Sequence, residues 1–419
     1  MSDIMPPPAK PGPTPRRAGR RAMLLDEAAR QINERGAAAL NLNLIAETVG
    51  LTRNALYYYV SDTNDLIFRC YLRRCETMEE DLDAAIEGHG SAAARLSAFV
   101  VRTFDRQPPL AVLADLDFLP DPQRTAIADI ARRRVETLAQ IIAEGADAGE
   151  FRPVNARIAA ECLLGMMNWA QLAQLWLAFG DAIGDRARIA QTILDILLHG
   201  FAADPEAAFT CPLHVENLER RSINAFDKAQ AGEEKTRQLI DAASRLFNRR
   251  GCDGVSLDDI GASLGATKGA FYHYFDDKTG FIARCYERAF DRYRHFALTA
   301  GETGANGLEK SLIVMHLNCQ AQAGAAPPMM PQPGLFTLPD QTRTDLMAQA
   351  QHIWSICQDY VAEGLADGSC RAISVADLTM VSAGAFFWLP KWLPATGATD
   401  PISLADQICD IMRQGLTAR

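Results

Sequence analysis

The sequence lacks the patterns that most enzymes and metal proteins carry. It contains no glycine-rich phosphate loop and no HExxH motif. Its ten cysteines form no CxxC pair, and its seven histidines form no cluster with metal-ligand spacing. These absences argue against an enzyme, a bound metal or a cofactor. They also predict reduced, buried cysteines in a cytoplasmic protein.

Long apolar runs are missing as well. No run reaches the length that a membrane-spanning helix needs, so no membrane partner is expected. The proline-rich start, PPPAKPGPTPRR from Pro6, has no apolar segment of the kind found in signal peptides. Its composition predicts a disordered basic arm over residues 1–17.

Charge is distributed unevenly along the 419 residues. The net charge is −10, but residues 10–74 contain eleven basic and six acidic side chains, which gives this segment a charge of +5. A local basic surface is what a nucleic-acid site requires, because bound cations release the counterions of the phosphates. Charge alone fits a solvated basic tail equally well.

An internal repeat organises the rest of the chain. Residues 28–71 align without a gap on residues 243–286 at a shift of 215, and a second block repeats at a shift of 219. In the second block LPDPQRT matches LPDQTRT, AEGADAGEFR matches AEGLADGSCR, and Trp169 matches Trp388. The repeat spans a whole multi-helix unit, so it indicates a duplicated domain pair and not a solenoid. A chain of this length is expected to hold two to four domains.

Each copy of the first block predicts a helix-turn-helix. In each copy, apolar residues at helical spacing predict a first helix, which ends at Gly36 in the first copy and at Gly251 in the second. A second, shorter apolar helix ends at Gly50 and at Gly265, respectively. A third helix follows, opening with RNALYYY in the first copy and KGAFYHY in the second. Two short helices joined by a glycine-containing turn are the layout of this DNA-binding motif.

The chemistry of the third helix suits a phosphate backbone and base edges. The hydroxyl at its start, from Thr52 or Thr267, and the free N–H groups of its first turn favour an anion. A cation, Arg53 or Lys268, follows one residue later. Three consecutive tyrosines cannot all face one core, so at least one is exposed. We interpret Leu56 and Tyr57 as core, and Tyr59 with its counterpart Tyr274 as phosphate ligands.

The segments IAETVGLTRNALYYYVSDTNDL and IGASLGATKGAFYHYFDDKTGF resemble the helix-turn-helix signature of the tetracycline-repressor-like (TetR) family. The second copy matches the pattern almost fully, including Gly269, Phe275 and Lys278. The first copy departs from it at Asn54, Val60 and Thr63. Thr63 replaces a lysine that contacts phosphate in the family, and the basic arm is expected to compensate. The expected DNA-contacting residues are Arg16, Arg17, Arg20, Thr52, Arg53, Asn54, Tyr58, Tyr59, Thr267, Lys268, Gly269, His273, Tyr274 and Lys278.

The resemblance implies an all-α protein of two tandem units, arranged as an intramolecular pseudo-dimer. Each unit is expected to hold a three-helix DNA-binding domain and a helical domain for ligand binding and dimerisation. The expected segments are the arm at 1–17, DNA-binding domains at 18–70 and 233–285, regulatory domains at 71–204 and 286–419, and a linker at 205–232.

Two further sets of residues follow from the regulatory domains. Aromatic and methionine side chains of the middle helices predict a pocket for a hydrophobic effector, such as a fatty-acyl, steroid-like or aromatic molecule. Ordinary core is the alternative for each of them: Phe99, Phe104, Phe118, Met315, Met329, Phe336 and Trp354. The late apolar helices predict an interface between the halves, formed as a four-helix bundle around Trp169, Trp176, Trp388 and Trp392.

The sequence thus predicts a sequence-specific DNA-binding transcriptional regulator, a repressor released by its effector, whose partners are double-stranded DNA and that small molecule. The two unlike recognition helices predict two unlike half-sites. The alternative is a helical protein-interaction module without DNA readout. That alternative explains the amphipathic helices but not the repeated Thr–cation–Tyr pattern of the third helix.

Overall fold

The protein is helical throughout the part that the structure describes. The computed structural model describes residues 15–88, 90–177, 185–219, 228–263, 275, 277–393 and 400–419. Within these ranges the only strand-like pairings are two isolated bridges, Phe151 with Thr417 and Ala202 with Cys370. The predicted all-α class is confirmed.

The first unit contains eight helices in its described part. The first three form most of the DNA-binding domain, and the other five form the regulatory domain. In chain order they are α1 (Pro15–Arg35), α2 (Leu42–Thr48), α3 (Arg53–Leu56), α4 (Thr63–Gly88), α5 (Ala92–Asp105), α6 (Asp121–Asp147), α7 (Ala156–Leu177) and α8 (Arg186–His199).

The described helices of the second unit follow the same order, with an additional short helix before the first and three short helices in place of α7. The segment that corresponds to α3 lies outside the described residues. The helices described in this unit are α9 (Val215–Leu218), α10 (Lys228–Arg250), α11 (Leu257–Ser263), α12 (Lys278–Thr303), α13 (Gly307–Ala323), α14 (Asp340–Asp367), α15 (Val375–Ser382), α16 (Gly384–Phe387), α17 (Leu389–Trp392) and α18 (Pro401–Gln414). The short helices α15, α16 and α17 occupy the place of the continuous α7. Pro390 accounts for the last break, because its ring displaces the carbonyl four residues earlier and it has no N–H to donate.

The predicted segment boundaries fall inside helices at several points. Helix α1 begins at Pro15, within the predicted arm, and the long helices α4 and α12 run through the predicted domain boundaries at 70 and 285. Each of these long helices therefore joins a DNA-binding domain rigidly to its regulatory domain. The predicted linker at 205–232 includes the start of α10 and a packed stretch, in which the Val215 amide donates to Gln320 Oε1 at 2.9 Å.

Separate cores hold the two DNA-binding domains, but the regulatory domains share one core. Leu24, Ile45 and Leu56 are buried in the first DNA-binding core, and Phe247 and Phe281 in the second. A single apolar cluster contains residues of both regulatory domains. Its members include Phe99, Trp169, Ile193, Trp388 and Ile408.

The two regulatory domains meet along their late helices, where α7 and α8 pack against α15, α16 and α18. One close approach in this pairing is between two glycines that correspond in the repeat. A Cβ added to Gly165 would lie 2.7 Å from the carbonyl oxygen of Gly384, and one added to Gly384 would lie 2.6 Å from that of Gly165. Only glycine allows backbones to pack this closely.

Reciprocal arginine contacts flank this helix pairing. Arg152 Nε donates to the Gly415 carbonyl at 2.6 Å, and its guanidinium pairs with Asp410 at 2.6 Å. At the corresponding place, Arg371 Nε donates to the Gly200 carbonyl at 2.5 Å, and its guanidinium pairs with Asp195 at 2.8 Å. Both isolated bridges also join one half to the other. When two residues make a contact and their counterparts in the repeat make the same contact in reverse, the interface has approximate twofold symmetry.

Candidate DNA interface and ligand cavities

The first recognition helix is short, capped and exposed. Gly50, with φ of 65°, ends the preceding turn, and Thr52 caps α3 by accepting the Ala55 N–H at 3.2 Å. Arg53 and Asn54 follow directly and are exposed. A capped helix start with an exposed cation and amide presents donors to phosphates and base edges together.

The three tyrosines after this helix differ in exposure. Leu56 is fully buried, as predicted, whereas Tyr57 is 43% exposed, so its interpretation as core was wrong. The regular helix ends at Leu56, and the turn that follows carries Tyr57 outward. Tyr58 is 78% exposed, while Tyr59 is half-buried against the first DNA-binding core.

The remaining predicted DNA contacts lie partly outside the described residues. Arg16 and Arg17 lie in the first turn of α1, and Arg20 is exposed on the same helix. Lys278 is half-buried at the first position of α12, which Asp277 caps by accepting the Gly280 N–H at 2.7 Å. The other five predicted DNA-contacting residues lie outside the described ranges: Thr267, Lys268, Gly269, His273 and Tyr274.

A repeated asparagine fixes each DNA-binding domain to its own regulatory domain. Asn33 on α1 donates to the Leu110 carbonyl at 3.1 Å and accepts the Val112 N–H at 2.8 Å. Asn248 on α10 does the same with the Pro328 carbonyl and the Met330 N–H, both at 2.9 Å. The alignment of residues 28–71 on 243–286 pairs Asn33 with Asn248 but does not show this role, since the partners lie about 80 residues away in the sequence.

The loop after α5 also reaches the other half. Buried Asp115 accepts the Ala37 N–H at 2.9 Å, at the end of α1, and a Cβ on Gly251 would lie 3.2 Å from its carboxylate. Asp117 in the same loop pairs with Arg249 at 2.8 Å, at the end of α10. One loop of the first regulatory domain therefore contacts the first helices of both DNA-binding domains.

The second half encloses an apolar cavity of about 120 Å³. Helices α12, α13 and α14 form most of it with Tyr293, Met315 and Trp354, and the first half contributes Trp169 and Phe201. Two buried polar atoms at its wall, Trp169 Nε1 and Asn318 Oδ1, have no hydrogen-bond partner within the described part of the chain. Such unpaired groups are costly unless a bound molecule or water satisfies them.

The predicted pocket residues are spread over several environments. Met315 and Trp354 line the second-half cavity, whereas Phe104 lines a separate cleft beside α1. Phe99 and Met329 are buried in two different cores, Phe118 is half-buried beside the first DNA-binding core, and Phe336 is 39% exposed. Helical spacing marks apolar faces but does not tell which of them surround a void.

The predicted interface tryptophans also differ in their neighbours. Trp169 packs on Phe387 of the other half, with ring centroids 4.7 Å apart, and Trp388 lies against Gly165. Trp392 is half-buried between the halves. Trp176 differs, because its Nε1 donates to the Asn33 carbonyl at 2.7 Å, within the first half. This hydrogen bond connects the first regulatory domain to α1.

Buried Glu161 on α7 gives the stability of the protein a pH dependence. Burial raises the pKa of this carboxyl from 4.5 to about 7, and the charge of Arg157 opposes this shift to a lesser extent. The raised pKa in the folded state means that stability is lost as the pH rises through this interval. We expect Glu161→Gln to raise the free energy of unfolding at pH 8 by up to about 3 kcal/mol, and to change it little at pH 4.5. Urea unfolding at both pH values measures this, and an equal effect at both would contradict it.

Other kinds of site find no support in the described ranges. Residues 261–265, GASLG, have the GxSxG spacing of hydrolases, but Ser263 lies in α11 and its hydroxyl donates to the Ile260 carbonyl at 2.7 Å. No group of His, Cys, Asp or Glu side chains there is placed to hold a metal ion. None of the helices described is both long and apolar enough to cross a bilayer.

These features define a class: a duplicated helix-turn-helix protein whose two helical regulatory domains share a core. Family comparison agrees with this class. The model of bacterial regulatory proteins of the tetR family matches residues 24–70 and 239–285, and the tetracyclin repressor-like C-terminal domain matches residues 89–201 and 333–416. The chain belongs to the tetR family of bacterial regulatory proteins, with both family domains present twice. The predicted class, a DNA-binding transcription regulator, is confirmed at this level.

Curated relatives match over short segments. The chain is 40% identical over 50 residues to the transposon Tn10 TetC protein of Escherichia coli, covering 12% of this chain and 25% of that one. It is 34% identical over 61 residues to IcaR of Staphylococcus epidermidis, a negative transcriptional regulator of a biofilm operon, covering 15% and 33%. The chain thus spans a quarter to a third of the length of these relatives.

Solved structures of the family align with about two fifths of the chain. The AibR structure with isovaleryl coenzyme A and operator DNA aligns at 22% identity and a TM-score of 0.37, covering 42% of this chain and 97% of that one. FadR of Bacillus subtilis with stearoyl-CoA aligns at 19% identity and a TM-score of 0.34, covering 42% and 96%.

Proposed function

We propose that one chain is a transcriptional repressor that reads two unlike half-sites with its two helix-turn-helix units. Its role is regulatory and not catalytic, and it acts in the cytoplasm, where its operator lies. The exposed Arg53, Asn54 and Tyr58 support the first reading surface. The second surface rests on the sequence match of KGAFYHY to RNALYYY, in which the side chains at corresponding positions differ.

The observation that carries this proposal is the reciprocal pairing of the two regulatory domains. Arg152 and Arg371 each reach the end of the last helix of the opposite half, and Gly165 meets Gly384 between them. A family member with one helix-turn-helix must dimerise to reach two half-sites. Here covalent linkage supplies the partner within the same chain, so the pairing of the two units does not depend on protein concentration. The proposed functional unit is therefore an intramolecular pseudo-dimer.

The proposed effector is a largely apolar molecule bound in the second-half cavity. Besides its apolar wall, the cavity is lined by Trp169 and Asn318, whose N–H and carbonyl oxygen lack partners among the described residues, so the molecule carries an acceptor for the first and a donor for the second. Because Trp169 belongs to the first half, a molecule that displaces it also alters the contact between halves. Such a shift changes the spacing of the recognition helices and lowers operator affinity.

Selection of bound DNA from a random pool tests the DNA-binding part. We expect an imperfect palindrome in which the two half-sites differ, with binding that weakens steeply as salt rises. A strict palindrome would contradict the unlike half-sites. Failure to enrich any sequence would favour a protein-interaction module instead.

A cavity-filling variant tests the effector part. Val314 on α13 lines this cavity. We expect Val314→Phe, which adds a ring to the cavity wall, to weaken binding of an apolar effector at least tenfold and to leave operator affinity unchanged. The measurement is titration of tryptophan fluorescence, followed by operator binding with and without effector. A molecule that fills this cavity without changing operator affinity would refute release by this route.

A further inference from the structure

A second cleft, of about 310 Å³, lies between the halves and differs in chemistry from the apolar cavity. It is bounded by α6, α7 and the loop at 113–117 from the first half, and by α17 and the end of α10 from the second. Its aromatic side is formed by Trp388 and Trp392. Its charged groups are Arg132, Arg134, Arg157, Arg249, Lys391, Asp117 and Glu161.

Several of these charges are already neutralised by neighbours. Arg249 pairs with Asp117 at 2.8 Å, and Arg132 pairs with Asp129 and Glu136, each at 3.1 Å. Lys391 is largely buried, donates to the Ala114 carbonyl and lies 3.9 Å from Asp115. Burial also raises the pKa of Glu161 to about 7, so only about half of this carboxyl is ionised at neutral pH.

Arg134 is the most buried of the cations that line this cleft. Only 4% of its side chain is exposed, yet its Nη2 has no hydrogen-bond partner among the described residues. Its other nitrogens reach Met78 Sδ at 3.2 Å and Glu79 Oε1 at 3.4 Å, the latter a long contact to a carboxylate 36% exposed. A buried guanidinium without close pairing is costly, and a bound anion is its natural complement.

A second buried arginine lies close by and increases the local positive charge. Arg74 is 2% exposed, and its guanidinium donates to the neutral amides of Asn168 and Gln171. Burial and the charge of Arg134 lower the pKa of Arg74 to about 9. The repeat aligns Arg74 with Ala289 and Arg134 with Ile353, so both cations are specific to the first half.

We propose that this cleft binds an organic oxyanion, a carboxylate or phosphate joined to an aromatic or apolar group. The oxyanion pairs with Arg134, supported by Arg157 at the mouth, and the apolar group packs on Trp388 and Trp392. This site is distinct from the second-half cavity and takes a different class of molecule. Since Asp117 and Arg249 line it too, an occupant touches the ion pair that connects the first regulatory domain to the second DNA-binding domain.

Calorimetric titration of the full chain with three matched probes tests the site. We expect 1-naphthoate or 1-naphthyl phosphate to bind, and the neutral 1-naphthamide to bind at least tenfold more weakly. The stronger of the two anions identifies the oxyanion. Equal binding of the amide and both anions, or no binding of either anion, would overturn the proposal.

Variants locate the binding. Arg134→Met and the surface change Arg157→Gln should each weaken the anions about tenfold and leave the amide unchanged, and Arg157→Gln decides the matter if Arg134→Met fails to fold. Val314→Phe, in the other cavity, should have no effect on anion binding. If Val314→Phe lost anion binding while both arginine variants retained it, the probes would bind in the second-half cavity. That result would refute this site. Neither result depends on operator binding, so a failure of this site can be distinguished from a failure of the proposed repressor role.

Discussion

The Gly384→Ala variant is expected to lose about 2–3 kcal/mol of unfolding free energy. The added methyl group would lie 2.6 Å from the Gly165 carbonyl oxygen and 2.7 Å from Met166 Cα. Both neighbours are backbone atoms, so no side-chain rotation relieves the contact and the halves must separate. Helix propensity acts in the opposite direction, favouring alanine over glycine by about 1 kcal/mol, so a net loss reports on packing.

Gly90→Ala is the matched control for this experiment. No atom lies within 4 Å of a Cβ built on Gly90, so its unfolding free energy should stay within about 0.5 kcal/mol of the parent. Urea unfolding of both variants, read by circular dichroism, gives the comparison. Parental or greater stability of Gly384→Ala would mean that the two halves do not meet through this glycine pair.

Alanine substitutions in the two recognition helices are expected to act on different half-sites. Arg53→Ala should lower affinity for one half-site and Lys268→Ala for the other, each by about 1–3 kcal/mol if a base contact is lost. Since the two positions lie on separate domains, the double variant should lose roughly the sum, about 2–6 kcal/mol. Binding to operators altered in one half-site at a time measures each effect.

Arg294→Ala serves as the control, because this exposed arginine lies on regulatory helix α12 and pairs with Asp291. It should leave operator affinity unchanged. If Arg53→Ala weakened binding to every operator equally, Arg53 would be a phosphate contact and not a base reader. If neither Arg53→Ala nor Lys268→Ala altered affinity, the recognition-helix assignment would be wrong.

The tandem organisation was predictable because duplication leaves identities at a fixed interval. The repeat, which aligns Trp169 with Trp388, placed the predicted contact between the halves on the late helices, and the cap at Thr52 followed from the residues around it. These features depend on short segments, in which residue type and spacing determine local structure.

Features that depend on packing between distant segments could not be predicted. Arg74 and Arg134 look like ordinary surface arginines of amphipathic helices, and only the packing of α4 and α6 shows them buried. Trp176 belongs to the apolar stripe of α7, yet its neighbour is α1. The contribution of the first half to the cavity is likewise absent from the sequence signal, because the cavity arises where helices of both halves leave space unfilled.

The mass of the protein–operator complex tests the central claim most directly. A chain carrying both recognition helices should bind a selected operator as one chain per DNA duplex, and that single chain should protect both half-sites from cleavage. Light scattering of the complex coupled to size exclusion, with a footprint of the same sample, gives both quantities. A complex of two chains per operator, in which each chain uses one helix-turn-helix, would contradict the pseudo-dimer account.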